Sequence, residues 1–99
     1  MALLKPSLED AEAIAVSGLI FVANDPILLP RFLAITGIEA SAIRDAAREP
    51  GFLAGVLQFI LAHEPTLLAF SEQEGVAPGA VGTALKMLPT GDDQYLVST

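Results

Sequence analysis

From Phe52 to Ala62 the chain is apolar at every position except Gln58 and the small Gly55. On a helix of about 3.6 residues per turn, Leu53, Val56, Leu57, Ile60 and Leu61 form one stripe. Phe52 and Phe59 widen that stripe, and only Ala54, Gly55, Gln58 and Ala62 lie opposite. A helix this apolar around its girth must be covered by other helices or by a partner chain. The run ends at His63-Glu64-Pro65, short of the roughly 20 residues a bilayer span needs. The pattern therefore predicts a buried central helix. Gly51 and Gly55, one turn apart, would admit a neighbouring backbone, unless they are simply two tolerated glycines.

The flanking signals predict the other elements. Ser7 is an N-cap residue with Asp10 three positions on, a short-armed capping box, and a helix follows over Leu8 to Ala23. Ile14, Gly18, Phe21 and Val22 share its inner side, with Leu19 at the edge, while Val16 and Ile20 fall on the other side. Asn24-Asp25-Pro26 ends it, with Asp25 as the next cap. Pro30 would clash with the carbonyl four residues back. The expectation is therefore a turn over Pro26 to Leu29 and a second helix from Pro30 to Thr36, stopped by Gly37. A short third helix is expected over Glu39 to Arg48, with Ile43 inward. Pro50 is expected at the first position of the central helix. Pro65 should stop that helix near Ala62 and open the next, Pro65 to Glu74, which Gly75 caps. Pro78 starts a sixth helix to about Leu88, with Val81, Leu85 and Leu88 on one stripe, and Pro89 and Gly91 end it.

Laying the two halves over each other gives a weak repeat, offset by 39 positions (Asp25-Pro26 on Glu64-Pro65) and then by 38 (Phe32 on Phe70). Leu28-Leu29 falls on Leu67-Leu68, Gly37-Ile38 on Gly75-Val76, and Ala42-Ile43 on Ala80-Val81. The unit is a long helix, an acid-proline break, a short helix, a glycine stop and a second short helix. Chance matching in an alanine- and leucine-rich chain is the competing reading. The expected fold is all-α: a compact bundle of five to six short helices around a buried central helix, arranged as two pseudo-repeated three-helix units. Residues 1–7 are expected as a flexible N-terminus, 8–89 as a single helical domain and 90–99 as a flexible acidic tail.

Composition narrows the function. Only 17 % of residues are charged, against about 25 % in an average domain, which fits an apolar surface patch or simply a high alanine content. The net charge of −7 comes from twelve acids and five bases, a balance that repels phosphate backbones and anionic membranes. Lys5, Arg31, Arg44, Arg48 and Lys86 form no cluster of the kind a nucleic-acid footprint needs. The absence of cysteine excludes disulfides, thiolate chemistry and cysteine-ligated zinc. Ala13 to Ala23 follows Glu9, Asp10 and Glu12 rather than a basic region, so it does not read as a signal peptide, and a cytoplasmic location is expected.

Chemistry is sparse. His63 is the only histidine; beside Glu64 at a helix end it is read first as a favourable charge at a helix C-terminus. Metal binding would need further convergent ligands. Glu72 and Glu74 do not share a face, Asp92-Asp93 lies in the expected tail, and Ser17, Ser41 and Ser71 have no evident base. Gly75, Gly79 and Gly82 lack the lysine of a phosphate loop. No catalytic, cofactor-binding or metal-binding residue is assigned, no cofactor is expected, and an enzyme is not the reading. Two stretches have helix-turn-helix character, Phe32 to Ala46 turning at Gly37-Ile38 and Leu67 to Leu85 turning at Gly75-Val76. The candidate recognition helices offer only Arg44 and Arg48, offset by Glu39 and Asp45, or Lys86 alone.

The order of Asp25-Pro26, Arg31-Phe32-Leu33-Ala34, Thr36-Gly37, Phe52-Leu53, Val56-Leu57, Phe59 and Leu67-Leu68-Ala69-Phe70 before Gly75 resembles a small family of uncharacterised bacterial all-helical proteins. The resemblance covers about residues 11 to 89; Glu39-Ala40 departs from it where an aspartate-proline helix start would be expected. It implies the fold and brings no catalytic residues. The function expected is a non-enzymatic helical module that binds a protein partner or forms a homo-oligomer, such as a homodimer, through an apolar helix surface. The alternative is a helix-turn-helix-like nucleic-acid-associated regulator. Nucleic acid is disfavoured as a partner and no membrane is expected.

Overall fold

The computed structural model describes residues 7–49 and 51–89. The expectations for residues 1–6, for Pro50 and for the tail 90–99 lie outside them. The described elements are α1 (Leu8–Ala23), α2 (Leu28–Thr36), a 3-10 turn (Ala40–Ala42) running into α3 (Ile43–Ala46), α4 (Phe52–Leu61), α5 (Glu64–Glu74) and α6 (Pro78–Met87). The all-α bundle expected from periodicity is the fold observed. α1 packs against both α4 and α6, and α4 also meets α5 and α6.

α4 is shielded nearly all the way round. Phe52, Ala54, Val56, Leu57 and Ile60 are buried, Leu53, Gly55, Phe59 and Leu61 are half-buried, and Gln58 alone faces water. Coverage extends to Ala54, on the side opposite the predicted stripe, because α4 is enclosed by three helices rather than laid on one. The close approach expected at Gly51 and Gly55 occurs elsewhere. Gly55 has open space around it, whereas a Cβ on Gly18 of α1 would sit 2.9 Å from Cδ1 of Ile60. α1 thus crosses α4 where its side chain is missing.

Local chemistry accounts for most helix ends. Ser7 and Asp10 form the reciprocal capping box, with Asp10 N–H donating to Ser7 Oγ at 3.1 Å and Ser7 N–H to Asp10 Oδ2 at 3.0 Å. Asp25 Oδ1 accepts from the N–H groups of Ile27 (2.8 Å) and Leu28 (3.0 Å), so α2 begins at Leu28 rather than at Pro30. Pro30 is its third residue, within the first turn, where no N–H has an intrahelical partner to lose. Gly37 and Gly75 end α2 and α5 at φ 76° and 68°, the left-handed geometry glycine adopts without strain. α4 begins at Phe52, after Gly51 at φ 91°.

The third helix is the largest departure. Instead of running from Glu39 to Arg48 it is one 3-10 turn followed by a single α-turn, with no buried residue in either. Glu39 is extended and makes no side-chain cap. Beyond Ala46, turn bonds from Arg48 N–H to Asp45 and from Glu49 N–H to Ala46 lead the chain into Gly51. The departure from a capped start at Glu39-Ala40 thus coincides with a segment too weakly nucleated to extend.

The two halves repeat the same geometry up to that point. The chain bends by 111° from α1 to α2 and by 109° from α4 to α5. The equivalent phenylalanines of the short helices each pack on the other half's long helix. Phe32 makes edge contacts with Phe52 (centroids 6.0 Å apart) and Phe59 (5.4 Å) of α4, while Phe70 meets Phe21 of α1 at 5.4 Å. The units close on each other through this exchange. They differ in the third element: α6 buries Val81 and Ala84, whereas its counterpart α3 buries nothing.

Candidate interaction surface

The short α3 leaves a cleft of about 670 Å³ between α1 and the 3-10/α3 segment. Leu19, Ile43 and Ala47 give its apolar lining, and Ser41, Arg44 and Asp45 its polar rim. Beside it, the outward side of α1 carries Val16 and Ile20 one turn apart, 43 % and 55 % exposed. The sequence pattern had set these two residues apart from the inner face, and they remain uncovered. Ile27 and Ile35 on and beside α2 are each 68 % exposed, and Leu68 of α5 is 51 % exposed. The spacing does not single them out, because the apolar residues of α2 lie on more than one side and in α5 the adjacent Leu67 and Leu68 point to different sides. Pro65, Thr66 and Ile27 share a smaller depression of about 220 Å³.

The sequence candidates for chemistry do not converge. His63 stands at the N-cap of α5, and its Nδ1 lies 2.8 Å from the Oγ1 of buried Thr66 in that helix's first turn. Its ring therefore engages the start of α5, not the carbonyl end of α4 that the charge–dipole reading favoured. The His63 carbonyl accepts from Leu67 N–H at 3.0 Å, so backbone and side chain together fix the break between the helices. Among the described residues, no group of three or more histidine, aspartate and glutamate side chains is placed to hold a metal ion. Ser41 is exposed on the cleft rim, and the Ser71 hydroxyl is buried without a hydrogen-bond partner. Among the described residues, no single helix is long and apolar enough to cross a membrane.

The two hairpins with helix-turn-helix character do turn at left-handed glycines. In the first, the candidate recognition helix is reduced to Ile43–Ala46, and Arg48 lies beyond it in a turn. In the second, α6 carries Lys86 in its last turn and no arginine.

Residues 8–91 match the family described as "Protein of unknown function (DUF3572)", and the chain belongs to that family. No curated protein and no solved structure matches the chain.

Proposed function

We propose that this member of a family of unknown function is a non-enzymatic helical module, cytoplasmic in setting, that self-associates or docks a protein through an exposed apolar surface. One observation carries the reading: Val16 and Ile20 lie together on the open side of α1, next to the cleft lined by Leu19 and Ile43. Exposed aliphatics scattered singly are ordinary. A pair on one helix face, beside the cleft that Leu19 and Ile43 line, is a surface whose removal from water is favourable. Burying the half of each side chain that is still exposed would gain about 1 kcal/mol. The scattered carboxylates and isolated serines support the non-enzymatic part, and the acidic residues ahead of Ala13 support the cytoplasmic one.

Light scattering over a dilution series, paired with fluorescence of a dye that lights up on apolar surface, tests the proposal. The expected result is a mass rising above the 10.3 kDa of one chain, or a monomer that binds the dye at this face. A strict monomer that leaves the dye dark overturns it. The nucleic-acid alternative rests on the two glycine turns; one lysine on α6 offers little phosphate attraction. Salt-sensitive binding to mixed-sequence DNA would be its signature.

A further inference from the structure

We propose that the segment from Ala40 to Glu49 is a lid with two conformations. One is the short α3 of this structure, which leaves the cleft open; the other is a full helix equivalent to α6, which brings Ile43 onto Leu19 and closes it. The lid regulates the surface proposed above and rests on that reading only for what it covers.

The two units enter their third elements in the same way. Glu39 is extended at φ −78° and ψ 147°, and its counterpart Ala77 at φ −63° and ψ 142°. In the turn that follows, Ala42 N–H donates to the Glu39 carbonyl at 2.8 Å, and Ala80 N–H to the Ala77 carbonyl at 2.9 Å. The paths part at Ala42. Its ψ is 0°, where an α-helix needs about −42°, whereas α6 runs on through the equivalent Ala80. Further along, Arg48 and Glu49 N–H reach only three residues back, to the carbonyls of Asp45 and Ala46. Such 3-10 stretches at the ends of an interrupted helix mark hinges.

Residue preference runs against the observed lengths. Ala40 to Glu49 contains four alanines, two arginines and a glutamate, all good helix formers. α6 contains two glycines, a valine and a threonine, yet it is helical over ten residues. Burial decides between them. Val81 and Ala84 are buried in α6, while their counterparts Ile43 and Ala46 are half-buried. Ile43 lines the cleft, across from Leu19. The segment that prefers helix more has less of it, because only Ala46 and Ala47 pack against the core.

A second conformation therefore has both a local preference and a docking place. In a helix from Ala40 to Arg48, the residue before Pro50 being disfavoured, Ile43, Ala46 and Ala47 form one stripe as Val81, Ala84 and Leu85 do. Turning ψ of Ala42 to the helical value swings the far end of the segment by roughly 5 Å. Closure takes Leu19 and Ile43 out of water, and anything held in the cleft selects the open form.

The chain has no cysteine, so the pair Leu19→Cys and Ile43→Cys traps the closed lid as an intramolecular disulfide. Oxidation should then raise far-UV helicity by about five residues over the reduced variant, since four are α-helical in the open lid. In the unmodified protein, carbon-13 saturation-transfer NMR should find a minor state with helical shifts at Ala47 and Arg48. A disulfide that forms with no gain in helicity overturns the helix extension. A single conformation from Ala40 to Glu49 in the unmodified protein overturns the lid, and leaves the surface reading standing if the dye still binds. Helix extension in a strict monomer that leaves the dye dark supports the lid and removes the surface reading.

Discussion

Replacing Gly18 by alanine tests the contact that sets the distance between α1 and α4. The new methyl would lie 2.9 Å from Cδ1 of Ile60 and 3.4 Å from Leu57 and Val56 side-chain carbons. Carbon atoms rest about 3.5–4.0 Å apart, so the methyl is about 0.6 Å too close to Ile60. Ile60 is wholly buried, so turning its Cδ1 away must displace close-packed neighbours. Overpacking of this kind costs about 1–3 kcal/mol, against a helix-propensity gain of about 1 kcal/mol for alanine over glycine. The net expectation is a loss of about 1 kcal/mol. Gly55→Ala is the control: nothing lies within 4 Å of its added Cβ, so propensity alone should stabilise by about 1 kcal/mol. Urea unfolding followed by circular dichroism should then separate the two midpoints by about 1 M or more, with a slope of about 1–2 kcal/mol per molar. Ile60→Val removes only the obstructing methyl. Alone it should cost about 1 kcal/mol. Combined with Gly18→Ala it should cost about 1–2 kcal/mol less than the sum of the two changes. Equal stability of Gly18→Ala and Gly55→Ala, or strict additivity with Ile60→Val, would refute the crossing at Gly18.

Phe32→Ala and Phe70→Ala should each destabilise by about 3–5 kcal/mol, because both rings are buried at equivalent places in the two halves; a calorimetric loss confined to one would break the equivalence. Gly37→Ala and Gly75→Ala should each cost about 1–2 kcal/mol in denaturant titration, all of it from the left-handed backbone, since their surroundings are open. Thr66→Val and His63→Ala should each cost about 1 kcal/mol through their shared 2.8 Å contact. Their double variant should cost little more than either alone, and full additivity would show that the contact does not hold the α4–α5 break.

The elements whose causes are local were legible in the chain. The Ser7–Asp10 box, the Asp25 cap, the glycine stops at 37 and 75 and the girth of the Phe52 helix each depend on residues within about one turn of each other. So does the repeat, since its units are built from those signals. Pro30 misled because its cost depends on where the helix starts. The Asp25 side chain fixes that start at Leu28, and one residue's shift decides whether a proline removes a bond. Ile43 and the alternating charges suggest a longer helix over Glu39 to Arg48, yet no side chain caps its start and only Ala46 and Ala47, half-buried, pack against the core.

The candidate surface divides in the same way. That Val16 and Ile20 leave the inner face of the first helix was fixed by their spacing, a property of one helix alone. That they stay uncovered, that Leu19 and Arg44 meet across a cleft, and that Gly18 rather than Gly55 admits another helix came only with the tertiary structure. Periodicity states which side of a helix avoids water. Which other helix arrives there, and how far it reaches, depends on residues distant in sequence, such as Gly18 and Ile60, that no local pattern links.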